Sequence, residues 1–436
     1  MWVIPVKMCA KWQVLGEYIA TISHARMSMN RIASSLKCLR AVLTVCMLLL
    51  IIQSLEAQTE KTVYTFEGKA DGGYPMGGLL RDAAGNLYGT AEYGGTGEYA
   101  CQPYCGVLFE LELSTHGTWS EKILHDFGSS PSDGWAPTAG LVRDAGGNFY
   151  GTTGSGGTYG WGTIFELTLP KTYKILYSFT GKKDGRYPNA NLVVDSKGNL
   201  YGTTTQGGST FGTNCSQLAG CGTVFELTTS RKESVLHSFD SNGRDGYYAG
   251  SITLADGHIY GVTSEGGLFN GGTAFELTHH SGGDWGYNIV YNFASYAGDA
   301  ALPSSVLTPH GGDFYGTSAA GGSSANGGTV FRLISNSNGV WTDQLLVNFN
   351  VPIGRNPYSG VIFNSKGALY AAAVYNGGDG CGTVVELTAT LQTLWNFQGG
   401  LNGCNPLSPL TFDSLGNVYG TARGGAGFGV VYEVIP

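Results

Sequence analysis

The chain has 436 residues, of which 70 are glycine, and its formal net charge is −8. Hydrophobic residues make up 42% of the sequence and aromatic residues 12%, which excludes a disordered low-complexity chain despite the glycine content. The acidic excess argues against nucleic acid and anionic membranes as partners, because both carry negative charge. The composition favours an all-β protein with many turns.

The first 57 residues differ in composition from the rest and predict a leader. A basic segment ending at Arg40 precedes an apolar run from Ala41 to Ile52, and Ala57 supplies a small residue at a cleavage point. The run is too short to span a bilayer, so we predict a signal peptide over residues 29–57, with residues 1–28 as an over-extended start. The alternative is a retained membrane anchor. After cleavage we expect no membrane insertion and a secreted, periplasmic or cell-surface protein.

The remaining residues, 58–436, are predicted to form a single domain. Without the leader, this part keeps 18 of the 24 basic residues and 30 of the 32 acidic residues, a net charge of about −12. It also keeps six of the nine cysteines. An even number of cysteines in an exported chain predicts disulfides, and the spacing fits no zinc knuckle. We predict the pairs Cys101–Cys105 and Cys215–Cys221 and, by elimination, Cys381–Cys404.

Three short phrases recur seven times each along this domain. The phrase "GNLYGTT" and its variants place tyrosine at positions 88, 150, 201, 260, 315, 370 and 419. The phrase "GTVFELT" begins at glycines 106, 162, 222, 272, 328, 382 and 429. The phrase "ILYSF" ends at phenylalanines 66, 127, 179, 239, 293, 349 and 397. Each phrase is rich in β-branched and aromatic residues and is bounded by turn residues, which is typical of a short β-strand.

These phrases predict a seven-bladed β-propeller. A fourth strand precedes each "GN" turn, as in "NLVVD", so each repeat gives antiparallel strands a, b, c and d. Four-stranded units repeated every 49 to 62 residues are typical of propeller blades. The domain opens with a lone strand d at about 61–66 and ends with a lone strand c. We therefore expect the N-terminal strand to complete the last blade and close the ring, which removes free sheet edges.

The combination of "GNLYGTT" and "GTVFELT" resembles the Gloeo/Verruco (GloVer) repeat of secreted bacterial proteins and, more loosely, kelch and NHL propeller repeats. The resemblance covers residues 61–436. It implies an exported repeat protein of unassigned activity. Members of this group often carry C-terminal surface anchors, and the sequence leaves open whether this chain is attached to a surface.

The repeated polar residues are predicted to be structural. Strand c carries glutamate in six copies and Arg332 in the fifth, so a negative charge is not required at that position. The strand-b tyrosine recurs in every copy, which a catalytic phenol would not need, and the glycine after it is expected to let adjacent blades approach. Aspartates in the d–a loops, at positions 71, 133, 184, 245 and 299, are expected to accept hydrogen bonds from their own turns. Calcium binding is the alternative, and no other cofactor is expected.

The irregular b–c loops are the candidate functional surface, because a binding site in a repeat protein must break its symmetry. The loops of blades 1 to 3 hold the candidate ligand-binding residues: Glu92, Tyr93, Tyr99, Tyr104, Tyr159, Trp161 and Phe211. Aromatic, weakly charged loops suit stacking on sugar rings or docking of another chain. The alternative is that these rings pack the loops down.

These features favour a monomeric binding module for an extracellular glycan or protein. One alternative is a polysaccharide-acting enzyme that uses loop carboxylates, with Glu92, Glu98, Glu265 and Asp379 as candidates. Another alternative is a structural cell-surface protein. The sequence contains no nucleophile elbow and no zinc-protease motif. We therefore predict no specific catalytic residue.

Overall fold

Each sequence repeat forms a four-stranded antiparallel sheet, and the seven sheets are the blades of a β-propeller, as predicted. The computed structural model describes residues 59–436, except 98–100, 102, 104, 210–214, 216–219, 241–243, 324–325, 337–340 and 426. The predicted signal peptide lies outside the described residues. Within the described part of the chain, no helix is both long and apolar enough to cross a membrane.

The first three blades follow a strand that belongs to the last blade, β1 (Thr59–Thr65). Blade 1 consists of β2 (Leu80–Arg81), β3 (Leu87–Ala91), β4 (Val107–Leu113) and β5 (Trp119–Asp126). A small hairpin of β6 (Gly134–Trp135) and β9 (Ser155–Gly156) flanks blade 2, which consists of β7 (Val142–Arg143), β8 (Phe149–Thr153), β10 (Thr163–Thr168) and β11 (Thr172–Ser178). Blade 3 consists of β12 (Val193–Val194), β13 (Leu200–Thr204), β14 (Thr223–Leu227) and β15 (Glu233–Ser238).

The remaining blades repeat this order. Blade 4 consists of β16 (Gly246–Ala255), β17 (His258–Gly266), β18 (Thr273–His279) and β19 (Trp285–Asn292). Blade 5 consists of β20 (Ala300–Pro303), β21 (Thr308–His310), β22 (Asp313–Gly321), β23 (Thr329–Ser335) and β24 (Trp341–Asn348), with β20 and β21 together forming strand a. Blade 6 consists of β25 (Val361–Phe363), β26 (Leu369–Ala373), β27 (Thr383–Leu387) and β28 (Leu391–Asn396). Blade 7 consists of β29 (Cys404–Pro406), β30 (Thr411–Phe412), β31 (Val418–Gly424), β32 (Val430–Ile435) and β1, preceded by a 3₁₀ turn (Gly400–Asn402).

The N-terminal strand closes the ring, as the sequence predicts. β1 pairs antiparallel with β32, in a register that runs from Thr59 opposite Ile435 to Thr65 opposite Val430. The pairing continues beyond the strands, because the Phe66 N–H donates to the Gly429 carbonyl at 3.0 Å. Blade 7 therefore joins the two ends of the described chain, and β1 covers the edge of β32 that would otherwise be unpaired.

The hydrophobic core lies between the blades. The phenylalanine that ends strand d of one blade packs edge-on or tilted against the aromatic residue of strand c in the next blade, with ring centroids 4.8 to 5.5 Å apart. The pairs are Phe66–Phe109, Phe127–Phe165, Phe179–Phe225, Phe239–Phe275, Phe293–Phe331 and Phe397–Tyr432. Each of these six interfaces thus buries rings from two repeats, so neighbouring blades stabilise one another.

Candidate functional site

A hydrogen bond between neighbouring blades recurs on the face that carries the b–c loops. In each of the seven blades, a non-glycine residue ahead of strand b has a positive φ of 53° to 61°: Tyr74, Ala136, Tyr187, Tyr248, Leu302, Asn356 and Asn405. In six blades its N–H donates to a carbonyl of the preceding blade, for example Tyr187 to Trp161 at 3.1 Å and Asn356 to Gly327 at 2.7 Å. This left-handed conformation is unfavourable for most residues, so the interblade bond helps to hold it.

The same position explains the glycine that opens every strand c. A proline follows the positive-φ residue in six blades, and its ring packs on that glycine of the preceding blade. A Cβ at Gly162 would lie 2.6 Å from Pro188, and one at Gly328 would lie 2.7 Å from Pro357. The loop face is therefore tied together blade by blade, which gives its central opening a fixed outline.

A cavity of about 550 Å³ lies on the propeller axis at this face. All seven blades contribute lining residues, including Met76, Thr138, Asn189, Ser251, Ser304, Tyr358 and Leu407. Its mouth is lined by Tyr375 and Arg423, which follow the core of strand b in blades 6 and 7. Tyr358 is 38% exposed and Tyr375 is 50% exposed, so both rings are accessible to a ligand. Burial raises the pKa of the Tyr358 phenol, and the nearby Tyr375 adds to the shift.

The polar side chains of this axial cavity are asparagine amides, hydroxyls and one guanidinium. The Asn191 side-chain oxygen accepts the Gly140 N–H at 2.7 Å, which leaves the amide NH₂ of Asn191 to donate elsewhere. The Asn189 oxygen accepts the Thr138 hydroxyl at 3.4 Å. The Arg423 guanidinium lies over the Tyr74 ring, 5.1 Å from its centroid. No aspartate or glutamate is among the described residues that line the cavity.

Two of the predicted site residues lie where blades 7 and 1 meet. The Glu92 N–H donates to the Tyr74 carbonyl at 3.3 Å, and the Glu92 side chain is half-buried. The Tyr93 ring stacks on Phe428 with centroids 5.0 Å apart, and it meets Tyr74 edge-on at 5.3 Å. Tyr93 therefore helps to pack the loop base beside the axial cavity.

The other two described candidates belong to blade 2. Trp161 is half-buried, with the Tyr187 ring against it at 5.5 Å and the Arg186 guanidinium 4.7 Å from its centroid. Tyr159 projects from the loop and is 58% exposed. Tyr93 and Trp161 thus contact different blade junctions. Tyr99, Tyr104 and Phe211 lie outside the described residues.

All three predicted disulfides are present: Cys101–Cys105, Cys215–Cys221 and Cys381–Cys404. The first two lie within b–c loops, whereas the third joins blade 6 to blade 7. Cys105, Cys221 and Cys381 all directly precede the first glycine of strand c. Two of them also accept the interblade N–H bond, from Ala136 and Asn405 respectively. The disulfides therefore reinforce the segments that shape the loop face.

The repeated glutamates form a structural network at the opposite ends of the blades. Tyr88 donates to Glu110 at 2.7 Å and Tyr419 donates to Glu433 at 2.7 Å, with both tyrosines buried. Burial, followed by the neighbouring carboxylates, raises the pKa of these phenols well above the ordinary range. In the fifth copy Arg332 pairs with Asp313 instead. The recurrent tyrosine and glutamate thus link strands b and c.

A groove of about 600 Å³ between blades 3 and 4 borders this network. Tyr201 and Glu226, a hydrogen-bonded pair of blade 3, line it together with Trp285 of blade 4. The Trp285 ring packs edge-on against Tyr201 at 6.2 Å, as Trp119 does against Tyr419 at 6.4 Å. The groove therefore reflects a packing arrangement that also occurs at another blade junction.

The d–a loop aspartates close their own turns, as the sequence predicts. Asp184 accepts the backbone N–H of Thr180 at 2.6 Å and the phenol of Tyr177 at 3.0 Å. Asp299 accepts the Ser295 N–H at 2.7 Å in the same way. Within the described ranges, no group of three or more His, Cys, Asp or Glu side chains is arranged to hold a metal ion.

Several of these aspartates face a second carboxyl group from the next blade. The Tyr64 phenol donates to Glu121 at 3.0 Å and lies 3.5 Å from Asp71. Burial raises the pKa of Glu121 to about 7, and Asp71 contributes to the shift. Equivalent pairs occur at Glu233 and Asp343. Burial, followed by the neighbouring Asp184, raises the pKa of Glu233 to about 7. Burial, followed by the neighbouring Asp299, raises the pKa of Asp343 to about 8.

The proposed loop carboxylates are spread over the ring. Glu92 is in blade 1, Glu265 is in β17 of blade 4 opposite Tyr247, and Asp379 is exposed on the b–c loop of blade 6. Glycoside hydrolysis requires two carboxyl groups within about 10 Å of each other. Blades 1, 4 and 6 are not neighbours in the ring, so these residues do not lie on adjoining blades. Glu98 lies outside the described residues.

Comparison with known families identifies the repeat. The profile of the Gloeobacter/Verrucomicrobia repeat matches residues 51–214, 98–327 and 208–432. The chain belongs to this family. The resemblance read from "GNLYGTT" and "GTVFELT" is therefore confirmed. Curated proteins gave no significant match.

Solved structures share the fold of this Gloeobacter/Verrucomicrobia repeat protein. One is the extracellular domain of a B. thetaiotaomicron protein provisionally named a one-component system, with a TM-score of 0.53 and 13% identity over 86% of this chain. This chain spans only 40% of that structure. Another is a Bacteroides uniformis protein provisionally named 6-phosphogluconolactonase, with a TM-score of 0.50 and 13% identity over 78% of this chain and 98% of that one. At this identity the likeness shows the propeller fold alone.

Proposed function

We propose that this protein is an exported binding module that holds a carbohydrate at the mouth of the axial cavity. The observation that carries the proposal is the pair of exposed rings, Tyr358 and Tyr375, on a cavity whose lining combines asparagine amides and serine and threonine hydroxyls with apolar side chains. Sugar rings stack on aromatic faces, and their hydroxyls pair with such polar groups. The cavity opens on the same face as the b–c loops of blades 1 to 3, which the sequence predicts as the binding surface, but none of the residues predicted there lines it.

Export is supported by the disulfides. Three disulfides occur in the described part of the chain, and disulfides persist in oxidising compartments outside the cytosol. The predicted signal peptide agrees with this, as does the extracellular origin of one structural neighbour. We propose a secreted, periplasmic or cell-surface location.

A rigid receptor fits the geometry better than a hydrolase does. The interblade hydrogen bonds and prolines fix the outline of the cavity, which lowers the ordering cost of binding. The described lining holds no carboxyl group that could act as a general acid or base.

The test is a polysaccharide array that scores retention and product release separately. We expect the wild-type protein to be retained without releasing product, and Tyr358→Ala and Tyr375→Ala to weaken retention at least tenfold. Tyr159→Ala is the matched control, because Tyr159 is also an exposed tyrosine on the same face but does not line the cavity. A larger loss for Tyr159→Ala would move the site to the outer loops of blades 1 to 3. Product release would favour the enzyme, and silence in both readouts would favour a structural protein.

A further inference from the structure

We propose that the axial cavity selects sugars that carry a carboxylate, such as uronic acids, and that Arg423 binds this carboxylate. The inference rests on the proposed carbohydrate-binding function and specifies its ligand class. It is carried by the charge of the cavity, by the position of Arg423 and by the donor groups around it.

The charge of the cavity is opposite to that of the protein. The chain as a whole has 32 acidic and 24 basic residues. The described lining of the axial cavity, in contrast, contains Arg423 as its one charged side chain and neither aspartate nor glutamate. An anion that approaches the acidic surface is therefore met by a single positive group at the mouth. A neutral sugar would not require a positive charge at the cavity of an acidic protein.

Arg423 is placed to bind an anionic ligand. It is exposed, and none of the ion pairs among the described residues involves it. Its guanidinium lies 5.1 Å from the centroid of the Tyr74 ring. The Tyr74 ring in turn packs against the rings of Tyr93 and Phe428. This stacking restricts the guanidinium while its edge N–H groups stay free for a bidentate bond to a carboxylate.

The remaining polar lining supplies further donors. Asn191 and Asn189 use their side-chain oxygens as acceptors within the protein, so each presents an NH₂ group for other partners. The Tyr358 hydroxyl is a third donor on the cavity wall. Donors of this kind suit carboxylate and hydroxyl oxygens on one ligand.

A second stacked arginine provides a matched control. Arg186 lies over Trp161 at 4.7 Å and over Tyr187 at 5.6 Å, so it makes the same kind of cation–π contact as Arg423. Arg186 does not line the axial cavity. Replacing either arginine by glutamine removes one positive charge from the loop face, and only the replacement at Arg423 removes it from the cavity.

The experiment compares acidic polysaccharides with carboxyl-reduced forms of the same polymers, so that the backbone and linkage stay constant. Polygalacturonate, alginate and a glucuronate-containing polymer are the probes. We expect the wild-type protein to bind at least one acidic polymer ten or more times more tightly than its reduced form, with the preference falling as salt rises. Arg423→Gln should abolish the preference, Arg423→Lys should retain part of it, and Arg186→Gln should leave it unchanged.

The outcomes separate the two proposals. Equal binding of acidic and reduced polymers, or a preference that survives Arg423→Gln, would overturn the assignment of a carboxylate ligand while leaving carbohydrate binding intact. No retention of any acidic or neutral polymer would overturn both proposals. A thermal melt of each variant tests whether it is folded. We expect the melting temperature of the Arg423 variants to stay close to that of the wild type, because Arg423 is exposed and its described contact is with the Tyr74 ring.

Discussion

Gly202 of strand b lies directly beneath the ring of Phe225, its partner across the sheet in strand c. A Cβ at Gly202 would lie 2.6 Å from the Phe225 ring and 2.8 Å from Leu192. The same relationship joins a strand-b glycine to the strand-c aromatic ring in five other blades. Blade 6 has Ala371 opposite Val385 at this position, so a larger residue on strand b accompanies a smaller one on strand c.

We expect Gly202→Ala to lower the free energy of unfolding by about 1–3 kcal/mol, because the added methyl group overpacks a filled interface. Chemical denaturation of the purified protein measures the change. Gly250→Ala is the matched control, since a Cβ there would meet its nearest neighbour at an ordinary 3.7 Å. Combining Gly202→Ala with Phe225→Val, which copies blade 6, should cost less than the sum of the two single changes. Strict additivity would contradict this explanation.

Removing the disulfide between blades 6 and 7 should destabilise the protein more than removing the loop disulfide of blade 1. Cys381 and Cys404 are separated by 23 residues, and Cys101 and Cys105 by four. The loop-entropy relation gives about 3 kcal/mol for the longer loop and about 2 kcal/mol for the shorter one. Paired Cys→Ser variants compared by thermal denaturation test the order. The reverse order would show that the link between blades contributes little.

Stability should fall as pH rises from about 4.5 to 8. Glu121 and Glu233 have folded-state pKa values raised to about 7 and Asp343 to about 8, mainly by burial. The folded protein therefore holds protons that the unfolded chain has released, so the stabilisation is complete below the unfolded pKa and is lost as pH passes the folded pKa. Thermal midpoints measured across this range should decline, and Glu121→Gln with Glu233→Gln should flatten the decline. An unchanged slope in the double variant would assign the pH dependence to other groups.

Glu92→Gln should leave polysaccharide retention intact or strengthen it. Glu92 bonds through its backbone to Tyr74, the residue that underlies Arg423, so removing its negative charge favours an anionic ligand nearby. Retention and reducing-end release are measured on the same samples, with Glu265→Gln in parallel. Product that appears with the wild-type protein and disappears in either variant would instead support the enzyme alternative.

The repeating parts of the fold could be predicted because each strand is specified by a short local run of β-branched and aromatic residues between turn residues. The phrase around Tyr201 gives a strand, and its seven copies give seven blades. The unpaired phrases at the two ends of the domain give the closure of β1 on β32, which the structure confirms. The sequence predicts that the strand-b glycine lets adjacent blades approach each other. At Gly202, however, the nearest ring is that of Phe225 in the same blade. Periodicity shows that a small residue is needed there, but it does not identify the atom above it.

The axial cavity could not be predicted in the same way. Asn189 and Tyr358 each directly follow the proline of their repeat, whereas Arg423 lies at the end of a strand b, and these residues meet only because the ring brings segments from all seven blades to the axis. The sequence instead predicts the binding site at the aromatic residues of the outer b–c loops. Of these residues, Trp161 is half-buried against Tyr187 and Arg186. A signal was present in the proline that follows Tyr74, Tyr187 and their counterparts, which marks the strained residues around the opening.

The pairing of β1 with β32 also determines when the molecule can finish folding. Thr59 and Ile435 are partners although 376 residues separate them, which makes this the most distant contact that the closing blade requires. Contacts of such long range form slowly, because a large loop must be ordered before they are made. A chain that emerges from a ribosome or a secretion channel N-terminus first cannot seal its last blade until the final strand arrives. The ring therefore closes only after β32 is available to pair with β1.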